Sequence, residues 1–130
     1  MTALGVLLTL LAATPAVAET GTVGDLELLG PAAAAGWPGA FDGFAYTLVC
    51  NVDDGGSMTV RARPSSNATV VTRLRRFTTV EVDTGQIQGS WVRVVSADES
   101  YTADGMRQPF RSLGVEGWAY VDFLCAFEER

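Results

Sequence analysis

The clearest alternation of hydrophobic and polar positions lies in the middle of the chain. In Thr78-Thr79-Val80-Glu81-Val82-Asp83, the valines point one way and the acids the other. That is the pattern of a half-buried antiparallel strand. Trp91-Val92-Arg93-Val94-Val95 repeats it, with Val92 and Val94 inward and Trp91 outward. Phe44-Ala45-Tyr46-Thr47-Leu48-Val49-Cys50-Asn51-Val52 is rich in strand formers. Turn chemistry follows in Asp53-Asp54-Gly55-Gly56-Ser57, which predicts a hairpin into a strand at Met58–Ala62. After Pro64-Ser65-Ser66-Asn67 comes a strand at Thr69–Leu74, and Gly85 to Gly89 turns the chain before Trp91. The last barrel strand falls at about Val115–Tyr120. Short strands at close spacing, with no convincing helix and no internal repeat, predict an all-β fold: a small barrel of five to six antiparallel strands.

Three segments stand outside that pattern. Leu4 to Ala18 is an uncharged apolar run ending Ala16-Val17-Ala18 before Glu19. It reads as a secretory signal peptide spanning 1–18 and cleaved after Ala18. An uncleaved anchor is the rival, although the run is shorter than the roughly 20 residues a span needs. No Lys or Arg precedes the apolar core. Residues 19–43 are rich in Gly, Ala and Pro and read as a non-core N-terminal extension, a tether to the barrel at 44–127. The alternative is that Trp37, Phe41 and Phe44 pin it down. Residues 97–114 form a stretch that a small barrel does not need. It carries Tyr101 and Phe110, the acids Asp98, Glu99 and Asp104, and Arg107 and Arg111. Such a segment is either a functional loop or an extended hairpin.

Composition narrows the chemistry. The net charge is −6, and all nine basic residues are Arg. An acidic chain gives nucleic acid nothing to bind and has no electrostatic reason to sit on an anionic membrane. Arg61, Arg63, Arg73, Arg75 and Arg76 form a local basic stretch, read first as solvated strand faces and second as an anion site. The chain has no His, which removes every His-based general base, relay and metal ligand. No Gly-rich phosphate loop or Gly-x-Ser-x-Gly occurs. Asp53-Asp54 is turn chemistry before it is a metal site. Neither a cofactor nor a metal is implied.

Four segments in order resemble the bacterial SH3-like domain family. The opening is Met58-Thr59-Val60-Arg61-Ala62-Arg63-Pro64-Ser65, and the middle strand is Thr78-Thr79-Val80-Glu81-Val82. The Trp strand is Gly89-Ser90-Trp91-Val92-Arg93-Val94, and the close is Gly117-Trp118-Ala119-Tyr120-Val121-Asp122-Phe123-Leu124. The likeness covers roughly 58–125. Thr59 departs from the usual Asn and Arg63 from the usual Gly. The extended conformation that Arg63 then needs before Pro64 is sterically favoured.

The resemblance implies an SH3-like barrel acting as a non-catalytic, exported binding module. Its expected ligand is cell-wall peptide (peptidoglycan), and the alternative is an envelope protein. There is no nucleic-acid partner, and no membrane contact once the signal is cleaved. The matching aromatic ligand positions are Trp91, Tyr120 and Phe123, with Tyr101 and Phe110 added from the long segment. Phe123 reads more readily as core than as groove, and Trp118 as packing against the hairpin. In an exported chain, exactly two cysteines suggest a Cys50–Cys125 disulfide where first and last strands run side by side. Two buried free thiols are the alternative.

Overall fold

The computed structural model describes residues 19–53 and 55–130. The apolar run read as a signal peptide, and Asp54, lie outside the described residues. Ten strands and one 3-10 turn (Val121–Phe123) follow in order: β1 Thr20–Val23, β2 Leu26–Pro31, β3 Phe44–Val49, β4 Ser57–Arg61, β5 Val70–Arg75, β6 Thr79–Gln88, β7 Trp91–Tyr101, β8 Arg107–Ser112, β9 Gly117–Tyr120 and β10 Leu124–Glu129. They form one antiparallel sheet, ordered β1-β2-β10-β3-β6-β7-β9-β4-β5, with β8 added on β7. The sheet curls into a half-barrel.

Long, bulged strands produce the curl. β6 and β7 pair with register shifts between Glu81 and Val82 and between Asp83 and Ile87. Each bulge adds twist and bends its strand. β7 also changes partner along its length. Trp91–Val94 pairs with Tyr120–Gly117 of β9, while Asp98–Tyr101 pairs with β8. β9 in turn comes very close to β4. A Cβ at Gly117 would lie 2.6 Å from Val60 Cγ1 and 2.7 Å from the Arg61 carbonyl oxygen.

The alternation seen in the sequence becomes the main core. Val80 and Val82, Val92 and Val94, and Met58 and Val60 are buried together with Val49, Ala119 and Leu124. The disulfide forms: Cys50 and Cys125 are bonded, with Cα atoms 5.9 Å apart. Leu124 and Cys125 of β10 pair with Val49 and Leu48 of β3, so the bridge joins adjacent chain segments.

Two expectations are corrected. The sheet has ten strands rather than five to six, because β1 and β2 from residues 20–31, β8 from the 97–114 segment and β10 after the 3-10 turn are all built into it. β1 and β2 form a hairpin, and β2 pairs with β10. In Leu26-Glu27-Leu28-Leu29, Leu26 and Leu28 are buried while Leu29 faces out. This part of the N-terminal segment is therefore core, not a non-core tether. Leu26 and Leu28 pack with Leu48, Phe77 and Tyr101 in a second core, flanked by Val23 and Phe127. Burial of each leucine contributes about 1.5–3 kcal/mol. The Ala-rich run that follows is turn rather than helix. It is stitched by Trp37 N–H donating to the Ala32 carbonyl at 2.8 Å, and Trp37 packs against the main core.

Residues 97–114 resolve into the hairpin alternative, the far half of β7 with β8. The hairpin tip meets the β1–β2 turn. Asp25 N–H donates to the Gly105 carbonyl at 2.9 Å, and Arg107 N–H donates to Asp25 Oδ2 at 2.8 Å. Gly105 has φ +79°, and a Cβ there would sit 2.3 Å from the Val23 carbonyl oxygen. Two segments that looked peripheral thus brace each other over the second core. No helix among the described residues is long and apolar enough to cross a membrane.

Candidate functional site

An open groove of about 350 Å³ lies where β7, β9, β4 and the 3-10 turn meet. Trp91, Tyr120 and Phe123 line it on one side, and Ser57, Thr59, Arg61 and Ser66 on the other. The position of each aromatic follows from local structure. Trp91 and Tyr120 are direct partners in the β7–β9 register, and directly opposite residues share a face. Val92 and Ala119, the next pair, point into the core. The two rings meet edge to face, with centroids 5.5 Å apart. Such pairs add about 0.5–1.5 kcal/mol beyond burial and hold each other's orientation. Tyr120 leaves β9 in extended conformation and the chain then turns, bringing Phe123 to 6.4 Å from the Tyr120 ring.

Neighbouring backbone fixes this turn. Val121 N–H donates to the Ser90 carbonyl, and Cys50 N–H donates to the Phe123 carbonyl, each at 2.9 Å. Asn51, at φ +60°, donates through Nδ2 to the Asp122 carbonyl at 2.8 Å. Asn tolerates that left-handed conformation better than most residues. The disulfide sits immediately beside these contacts, at Cys50 and Cys125. It therefore anchors the aromatic turn as well as the fold. Phe123 is half-buried, packing against the main core while also lining the groove.

On the opposite wall, Arg61 donates from Nη1 to the Ala68 carbonyl at 2.9 Å, tying down the 62–69 turn that carries Ser66. Trp118 is buried, with the Arg93 guanidinium 5.9 Å from its ring centroid. It packs rather than faces the groove, as its reading from the sequence expects.

Two of the five candidate ligand residues go elsewhere. Tyr101 is only 2% exposed and belongs to the second core. Its hydroxyl donates to Glu129, and its ring meets Phe127 edge to face. Burial first, and then the Glu129 carboxylate, push its pKa far above the ordinary tyrosine value. Tyr101 is inward because the register shift opposite Glu81 and Val82 leaves Val95 as an extra residue and moves the buried positions of β7 from Val92 and Val94 to Ala97 and Tyr101. Reading the strand as stopping at Val95 hid this change of parity. Phe110 is 69% exposed on β8 and does not line the groove.

The groove residues missed by the sequence reading are Ser57, Thr59 and Ser66, together with Arg61 in a lining role. Only the outward parity of Ser57, Thr59 and Arg61 along β4, opposite to Met58 and Val60, carried a signal. Chemically, the groove offers flat aromatic surface, three hydroxyls and one guanidinium. Among the described residues no carboxylate lines it. Elsewhere, Glu81 raises the pKa of the exposed Tyr46 phenol. Asp83 is held below the usual carboxylate range by hydrogen bonds from Gln86 and the Gly85 N–H. Asp53 serves the turn, its carbonyl accepting from Gly56 N–H at 2.8 Å.

No family model, curated protein or solved structure matches this chain.

Proposed function

We propose that this protein is an exported SH3-like binding module that holds cell-wall peptide in the Trp91–Tyr120–Phe123 groove and catalyses no reaction. The observation that carries the reading is the convergence of three separated aromatics on one groove walled by hydroxyls and an arginine. Trp91 and Tyr120 are rigid surfaces that lose little side-chain entropy on binding. Ser57, Thr59 and Ser66 supply hydrogen bonds to peptide groups, and Arg61 suits the carboxylates of a stem peptide. The SH3-like assignment draws support from the strand order β3-β6-β7-β9-β4-β5 and from the 3-10 turn between β9 and β10. Export draws support from the disulfide, which suits an oxidising compartment.

A pull-down with purified peptidoglycan tests this. The protein from residue 19 onward is retained, and Trp91→Ala loses about 2 kcal/mol of affinity, roughly thirtyfold. Equal retention of parent and variant, or no retention of either, overturns it. A second reading, binding of another envelope protein, is favoured by a separate surface. Phe41 is 80% exposed there, and Leu29, Phe44 and Tyr46 are also exposed. Stable co-purification of one envelope protein, without retention on peptidoglycan, supports that reading instead.

A further inference from the structure

The basic stretch at residues 73–76 acquires a setting that the aromatic groove does not use. Among the described residues β5 is the last strand of the sheet and pairs only with β4, so its other edge is open there. Along that edge runs a slot of about 310 Å³, bounded by residues 72–75 on one side and by Arg111, Leu113 and Val115 on the other. Among the described residues three guanidinium groups, Arg73, Arg75 and Arg111, line it against a single carboxylate, Glu99. Arg75 Nε binds Glu99 Oε2 at 2.8 Å, and Arg111 Nε lies 3.4 Å from Glu99 Oε1. Two arginines thus already clasp one carboxylate from opposite sides of the slot. Arg73 is exposed, and its side chain makes no ion pair or hydrogen bond among the described residues. The slot is therefore a net positive site on a protein of net charge −6.

We infer that this slot takes an extended, acidic peptide segment, laid beside β5 as an added strand with a carboxylate on Arg73 and Arg111. Three features select that occupant. The free β5 edge offers alternating N–H and C=O groups to a strand. Half-buried Leu113 and buried Val115 give apolar contact for alternate side chains. The arginines repel a second copy of the same edge, so self-pairing is disfavoured and an acidic partner is favoured. The site shares no lining residue with the Trp91 groove.

The test titrates oxidised protein with acetyl-Thr-Glu-Val-Glu-Val-amide, its Gln-for-Glu counterpart and free glutarate, following affinity and backbone amide shifts. The Glu peptide should bind and shift amides of β5. The Gln peptide should bind about tenfold more weakly, the worth of one charge-assisted hydrogen bond. Arg73→Gln, an exposed substitution, should cost a similar factor, and affinity should fall as salt rises. Trp91→Ala should leave binding unchanged, which separates failure here from failure at the groove. Equal affinity of the Glu and Gln peptides overturns the inference. So does glutarate binding as tightly as the peptide, which would mark an anion site without strand recognition. Shifts confined to the Trp91 indole would place the peptide in the groove and equally refute it.

Discussion

Phe77 joins two opposing energetic terms at one position. Its ring is fully buried in the second core, against Leu26, Leu28, Leu48 and Tyr101, with the Arg76 guanidinium 4.3 Å from its centroid. Its backbone lies at φ +65°, a conformation that favours glycine. Neighbouring hydrogen bonds hold it there: Phe77 N–H donates to the Val49 carbonyl, and Val49 N–H donates to the Thr78 carbonyl, both at 2.9 Å. Removing a buried Phe ring costs about 3–5 kcal/mol, while left-handed backbone costs a non-glycine residue about 1–2 kcal/mol. Burial wins, so Phe is retained. The truncations should then fall in an unusual order. Phe77→Ala loses the ring and keeps the strain, whereas Phe77→Gly loses the ring and relieves it. Glycine's greater freedom in the unfolded chain returns about 0.5–1 kcal/mol of that relief. Phe77→Gly should therefore be more stable than Phe77→Ala by about 1 kcal/mol, reversing the usual order of Ala over Gly. Both should stay folded in oxidised protein, because a domain carries about 5–15 kcal/mol in total. Urea unfolding at fixed m-value, or a melting difference of about 4 °C, reads the result. A Phe77→Ala protein as stable as Phe77→Gly would refute the strain argument. Losses under about 1 kcal/mol for both would refute the burial argument.

The disulfide closes a separation of 75 residues, for which the loop-entropy relation gives about 4–5 kcal/mol; Cys50→Ala with Cys125→Ala should lower the urea midpoint accordingly, and alkylation of oxidised parent should find no free thiol. Gly105→Ala should destabilise by about 2 kcal/mol or more, since its Cβ meets Val23 backbone at a positive φ; amide exchange should quicken first in β1 and β2. The raised Tyr101 pKa makes stability depend on alkaline pH. Below the unfolded tyrosine value of about 10, both states hold the proton and the contribution is complete. Above it the unfolded chain releases the proton first, so stability falls as pH rises toward the folded value. Tyr101→Phe should flatten that fall, and an unchanged alkaline profile would remove burial as the cause.

Strand chemistry in the middle of the chain was readable locally because it depends on neighbours only. Alternation at Val80 and Val82 and at Val92 and Val94 required one buried face, whatever covered it. The outward parity of Trp91, opposite Val92, was legible on the same ground. Residues 26–29 carried a similar signal, but flanking Gly and Pro made the segment look like linker. Whether a short alternating strand forms depends on an available edge, and β10 supplies that edge from about a hundred residues away. Tyr101 and Phe110 illustrate the same limit. Tyr101 is core because a bulge set by pairing with β6 changes which face of β7 is buried, and Phe110 is exposed on β8; both outcomes come from strand pairing rather than local composition.

The sequence by itself determined an all-β protein, the inward and outward faces of its central strands, and two cysteines suited to bridging. Those properties follow from side-chain period and residue chemistry, which are local. Tertiary structure alone decided that the N-terminal hairpin and the 97–114 hairpin share a second core, that the bridge anchors the aromatic turn, and that three arginines face one another across the slot beside β5. Each of these depends on register between strands distant in sequence. A one-residue slip in register turns every side chain to the other face, so these juxtapositions exist only once the whole sheet has paired.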